Sequence, residues 1–170
     1  MELTTCSKTK EELIEHYNNL DEDERKLLET SYETVSETNA CESRIEEIKL
    51  FCKKLGYKKI GIAFCKGLRK YGEALDKELS TDFEVYSVCC NICNITKESI
   101  DVNPVKSGEE PACNPVGQAL ALNGKEPDLV IKCGFCIGHD MLFSKMIKAP
   151  TTTLFVKDRK YKHRTIDSFD

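Results

Sequence analysis

The sequence predicts an α/β protein: a three-layer sandwich on a mostly parallel sheet of about four strands, with helices added before it. Two observations carry this. From residue 57 onward, short apolar or β-branched runs alternate with segments whose apolar residues recur at helical spacing, as βαβ units require. Before residue 57 the chain is polar and reads as helix only. A boundary is therefore expected there, with an N-terminal helical segment (1–56) packing on a cysteine-rich α/β domain (57–170).

The elements follow in order. Thr9 with Glu12 has the spacing of a capping box, and Leu13, Ile14, Tyr17 and Leu20 follow it. Asp21 with Glu24 opens a second helix carrying Leu27, Leu28, Tyr32 and Val35. Its acidic start, Asp21 to Glu24, reads as a solvated helix N-terminus. Asn39 with Glu42 is expected to open a third helix, in which Ile45, Ile48, Cys52 and Leu55 share a face. Gly56 fits its left-handed terminus. The run Lys59 to Cys65 is a buried strand bounded by Gly67. Leu68, Tyr71, Leu75 and Leu79 repeat at helical spacing, and Phe83 to Val88 is the next strand. Asn91 to Ala112, with Pro104, Gly108 and Pro111, is a long connection; such segments carry function or structure of their own. Asn114-Pro115 is an N-cap followed by proline at the first helical position, and Asn123-Gly124 stops that helix. Leu129 to Ile131 is a strand, Gly138-His139-Asp140 opens a helix, and Thr151 to Val156 is the last strand.

Charge and hydropathy exclude several functions. Lys plus Arg is 25 against 29 Asp plus Glu, a formal net charge of −4, so phosphate-driven nucleic-acid binding is disfavoured. Mean hydropathy is −0.42, and no apolar stretch is long enough to span a bilayer. The opening residues Met1 to Lys8 lack the basic-then-apolar order of a signal peptide. A soluble, cytoplasmic protein is expected.

Ten cysteines stand out. At about 6% they fall short of a disulfide scaffold, and a chain of this length needs no staples. In a reducing compartment, clustered thiols point to metal or redox chemistry. Cys65 ends the first strand, Cys89 and Cys90 the second, and Cys133 the third. Cys113 precedes a helix cap, Cys136 begins the turn into a helix, and His139 lies one turn beyond. Strand C-termini of a parallel sheet share one edge, where ligands bind. Cys93 lies just past that rim, and Lys157-Asp158-Arg159 reaches it from the last strand. Helix N-termini favour thiolate, and clustered thiolates call for a cation. The remaining cysteines have plainer readings: Cys52 is core, while Cys6 and Cys41 are incidental. His16 and His163 are expected at the surface.

The motifs Ile60-Gly61-Ile62-Ala63-Phe64-Cys65, Cys113-Asn114-Pro115-Val116-Gly117-Gln118, Cys136-Ile137-Gly138-His139-Asp140, Ala149-Pro150 and Val156-Lys157-Asp158-Arg159 carry a resemblance. Over roughly residues 42–166 the chain resembles an uncharacterised domain-of-unknown-function family. Its bacterial and archaeal, cysteine-rich members are often labelled metal-binding. The resemblance implies a shared fold and cysteine rim. On matching positions it points to Cys65, Cys89, Cys113, Cys136 and His139, with Lys148, Lys157 and Asp158 nearby. Cys93 and Cys133 lie outside that pattern, and no reaction is implied.

Three functions are then open. The first is metal binding through Cys65, Cys89, Cys113 and Cys136, with Cys90, Cys93, Cys133 and His139 as alternates. A four-thiolate set suits a zinc ion or a [4Fe–4S] cluster. The second is a thiol-dependent oxidoreductase or transferase using Cys136 as nucleophile and His139 as base. The third is a metal-stapled binding module without catalysis, which could take a small anionic ligand at the helix N-termini, with Lys157 and Asp158 as its contacts. No glycine-rich phosphate fingerprint is present.

Overall fold

A computed structural model describes residues 6–105 and 108–169. The first five residues of the expected helical segment, and residues 106–107 of the long connection, lie outside the described residues. The chain divides into two compact units, Met1–Leu55 and Gly56–Asp170.

The first unit holds α1 (Lys10–Asn18), α2 (Glu22–Thr38) and α3 (Arg44–Leu55). Both expected capping boxes form: Thr9 with Glu12 on α1, and Asp21 with Glu24 on α2. Each satisfies two helix-end donors reciprocally. Lys54 of α3 ties to Glu37 of α2 at 2.7 Å and to Glu33 at 3.4 Å. Ile48 and Cys52 are buried, as their shared helical face requires. Asn39 departs from expectation. It is the left-handed C-cap of α2 (φ 50°), so it closes one helix instead of opening the next. Ser43 starts α3, its hydroxyl accepting from the Glu46 N–H.

The second unit is built on four parallel strands: β1 (Lys59–Phe64), β2 (Glu84–Cys89), β3 (Leu129–Cys133) and β4 (Thr151–Phe155). They lie in the order β2-β1-β3-β4. The crossovers are α4 (Arg69–Leu79), α5 (Pro115–Asn123) and α6 (Ile137–Met146). Strand side chains alternate between faces. Phe64 meets Gly72 of α4, while Gly61, at the opposite parity, meets Leu122 of α5. Phe143 of α6 joins Leu122, Ala119, Ala63 and Val130 in one buried cluster. So α4 covers one face, α5 and α6 cover the other, and the three layers are complete. The central strands are buried end to end, Ile60 to Phe64 and Leu129 to Cys133, as parallel strands covered on both faces must be.

Local chemistry places the joints. Gly56 takes φ +73° after α3. Asn114 caps α5, its Oδ1 accepting from the Gly117 N–H at 2.7 Å. Asp128 holds the start of β1, one carboxylate oxygen accepting from the N–H groups of Lys58 (2.7 Å) and Lys59 (2.8 Å). The connection after β2 contains two short 3₁₀ turns, Ile92–Asn94 and Glu98–Ile100, clasped by a bridge between Thr96 and Pro111. Among the described residues, no helix is long and apolar enough to cross a membrane.

Candidate functional site

The chain passes from β1 outward to β2, then back across β1 to β3. This reversal leaves a crevice beyond the carboxyl ends of β1 and β3, where helices depart to opposite faces. Cys65 stands at the end of β1. Its N–H donates to the Cys133 carbonyl at 3.2 Å, and its own carbonyl accepts from Leu68 at 2.8 Å, closing a tight turn. Cys90 extends β2, donating to the Phe64 carbonyl at 3.0 Å. The Cys90 carbonyl accepts from the Asn114 N–H at 2.7 Å, which fastens Cys113 beside it. Cys136 is the N-cap of α6 and follows Gly134, whose φ of +69° turns the chain off β3.

These segments enclose a cavity lined by Cys65, Cys90, Cys113, Cys136, His139 and Gln118, with Pro115 and Phe135. Its volume is about 10 Å³, close to the room one water needs. The site has a dry side and a wet side. Cys65, Cys90 and Gln118 are buried, Cys113 is exposed, and Cys136 and His139 are half-buried.

Three of the sulfurs form a hydrogen-bonded chain, Cys65 to Cys90 to Cys113. The bond from Cys90 lowers the Cys113 thiol to about 7, against burial. The Cys90 thiol is pushed up, chiefly by the same bond. Cys65 is pushed up to about 12 by its bond with Cys90 and by burial, against the Lys157 ammonium. The bonds along the chain thus favour a thiolate at Cys113 over one at Cys90 or Cys65. Other donors surround it. The Lys66 N–H donates to the Cys90 sulfur at 3.2 Å, the Gly67 N–H to that of Cys65, and Lys157 Nζ lies 2.6 Å from Cys65 Sγ. Arg159 reaches the Cys136 sulfur at 3.9 Å.

Gln118 is fully buried. Its Nε2 donates to the carbonyls of Phe64 (3.2 Å) and Val88 (2.8 Å), while its Oε1 is buried without a hydrogen-bond partner. Two facing carbonyls require the nitrogen on that side, so the oxygen's orientation is fixed. Gln118 closes the motif Cys113 to Gln118, but the sequence assigns it no role. A signal existed: Gln118 sits at the i+3 place of the buried stripe Pro115, Gln118, Ala119, Leu122.

Of the expected residues, Cys65, Cys113, Cys136 and His139 meet at the cavity, joined by Cys90. Cys89, Cys93 and Cys133 do not line it. Cys89 and Cys133 both pair with Phe64 and so face α4, the far side of the sheet. Cys133 is fully buried, and burial alone pushes its thiol up to about 12. Cys93 is exposed in a turn with φ 63°. Lys157 reaches the site, but Asp158 is occupied elsewhere. Its carboxylate accepts from the Tyr161 N–H (3.0 Å), and its own N–H donates to His163 Nδ1 (3.1 Å). His163 is half-buried beside Phe155, not a free surface residue. Among the described residues, no group of three or more His, Cys, Asp or Glu stands arranged to hold a metal ion.

A family model described as a protein of unknown function, DUF1847, matches residues 2–154. An uncharacterized protein of Methanocaldococcus jannaschii is 48% identical over 156 residues, 91% of this chain and 80% of that protein. No solved structure matches.

Proposed function

Because the chain belongs to the DUF1847 family, whose description assigns no activity, we propose its function from its own residues: the rim site binds a thiophilic metal ion. The observation that supports this reading is the convergence of Cys65, Cys90, Cys113 and Cys136, from four separate segments, on one cavity. His139 adds a nitrogen donor. The surroundings suit a charged thiolate set. Two backbone N–H groups and the cations Lys157 and Arg159 already address the sulfurs, and such contacts stabilise negative charge on sulfur. Sulfur with imidazole favours an ion of the zinc class over calcium or magnesium. Binding would require the thiols to release their protons and turn their sulfurs inward. A bound zinc ion supplies Lewis acidity or a structural tie.

Elemental analysis of anaerobically purified protein tests the reading. About one equivalent of zinc per chain is expected; less than about 0.3 equivalents, with no absorbance near roughly 400 nm, would sink it for a stoichiometric site.

A second reading rests on Cys113. Its lowered thiol, its exposure and its bond to Cys90 favour a thiol-dependent oxidoreductase or transferase with Cys113, in place of Cys136, as nucleophile. Rapid alkylation confined to Cys113 in metal-free protein, with no metal bound as purified, would favour it over the first.

A further inference from the structure

Gln118 has no role in holding the ion, yet among the described residues that line the cavity it carries a buried polar atom that is left over. Its carboxamide is pinned by two donations to strand-end carbonyls. Its oxygen is buried, fixed in orientation and without a partner, on a residue that lines the thiol cavity. A buried orphan acceptor is costly and marks a site that something else completes. The cysteines do not complete it. The Cys65 and Cys90 thiols are engaged along their own chain toward Cys113, and thiolates are acceptors themselves. An ion enclosed by four thiolates would leave the amide oxygen as it is.

We infer that Gln118 is a specificity residue of this site: its amide oxygen accepts a hydrogen bond from an O–H or N–H group on an exchangeable ligand of the ion, a water or a small neutral molecule in its place. The inference rests on the metal reading above and goes further. It makes the site one with an open position, as catalytic sites have and structural ones lack. A second observation agrees. Structural sites are closed, whereas here Cys113 is exposed and Cys136 and His139 are half-buried, so a small ligand has a route in.

The test uses the full chain loaded anaerobically with cobalt(II), whose thiolate charge-transfer bands report binding. X-ray absorption of the wild type should give no more than about three sulfurs per cobalt, and its lighter-donor part should change when an added ligand binds, as an open position requires and a closed three-sulfur, one-imidazole set does not. Hydrazine, which carries N–H groups, and azide, which carries none, are then titrated against the cobalt spectrum. In Gln118→Met the hydrazine affinity should fall about tenfold while azide affinity stays, the loss expected for one neutral hydrogen bond. A four-sulfur sphere that neither ligand perturbs overturns the inference and leaves the metal reading standing. Equal loss of both ligands in Gln118→Met also overturns it. Absence of cobalt–thiolate bands overturns both. The wild-type measurements decide the matter even if the variant fails to fold.

Discussion

The ammonium nitrogen of Lys157 lies 2.6 Å from the sulfur of Cys65, a residue 92 positions earlier in the chain. β4 delivers the lysine and β1 the cysteine, so the contact exists only in the assembled sheet. Lys157→Met removes a charge that favours thiolate without touching a donor atom. Zinc affinity should drop about 10- to 100-fold, the usual cost of losing an outer contact. Competition against a chromophoric chelator measures it; unchanged affinity would detach Lys157 from the site.

Cys90 and Cys89 are neighbours in sequence but point to opposite faces of the sheet. Cys90→Ser should weaken zinc binding by at least about a hundredfold, because the ligand must be a thiolate. Cys89→Ser should leave it unchanged, and so should Cys93→Ser. The same chelator assay compares all three. Equal losses at Cys89 and Cys90 would mean that the cavity is not the binding site.

Cys113 is the acid end of the thiol chain. In metal-free protein its alkylation rate should reach half its maximum near pH 7, matching a thiol lowered to about 7. Cys90→Ala, which removes the donor and so the main cause, should move that midpoint up toward the ordinary thiol value of about 8.5. A folded value below the unfolded one stabilises the fold above the unfolded value, and that contribution disappears as pH falls through about 7. Cys133 behaves oppositely. Held neutral by burial and pushed up to about 12, it supports the fold below the ordinary thiol value and ceases to do so as pH rises toward 12. Cys133→Val should flatten that alkaline loss in a denaturant series.

Gly134 turns the chain from β3 toward Cys136 with φ +69°, and an added Cβ would overlap Leu68. Gly134→Ala combines backbone strain with a steric clash and should destabilise the protein by ~3 kcal/mol. Urea unfolding reports it. A change within ~0.5 kcal/mol would show that the turn tolerates a side chain.

Lys132 is buried on the central strand β3, its Nζ 2.5 Å from Asp140 and 3.0 Å from Ser144 on α6. Asp140→Ala leaves a buried cation uncompensated and should cost about 3 kcal/mol. The double change Lys132→Met with Asp140→Leu should recover most of that loss, because it removes both charges together. A double variant as unstable as Asp140→Ala would place the loss in packing instead.

Much of this architecture was legible in the residues. Asn114-Pro115, Gly56 and the two capping boxes act through local backbone chemistry, and each sits where its pattern requires. The gathering of cysteines at strand ends followed from parallel topology alone. The choice between Cys89 and Cys90 did not, because it depends on strand register, set by the Phe64 pairing across chains of sequence far apart. Asp158 looked like a rim contact by position, but the loop that follows it claims its polar groups. Asn39 has cap chemistry that serves either end of a helix, and its positive φ decided which. Gln118 went unread because one polar residue on an apolar stripe reveals its purpose only when its partners are counted.

The cavity draws its cysteines from positions 65, 90, 113 and 136. During synthesis on the ribosome these thiols emerge one at a time, across about seventy residues of translation. The site is therefore incomplete until Cys136, ahead of α6, and Lys157, just past β4, have both been made. A chain cut short before residue 136 would carry Cys65, Cys90 and Cys113 without the fourth wall of the cavity.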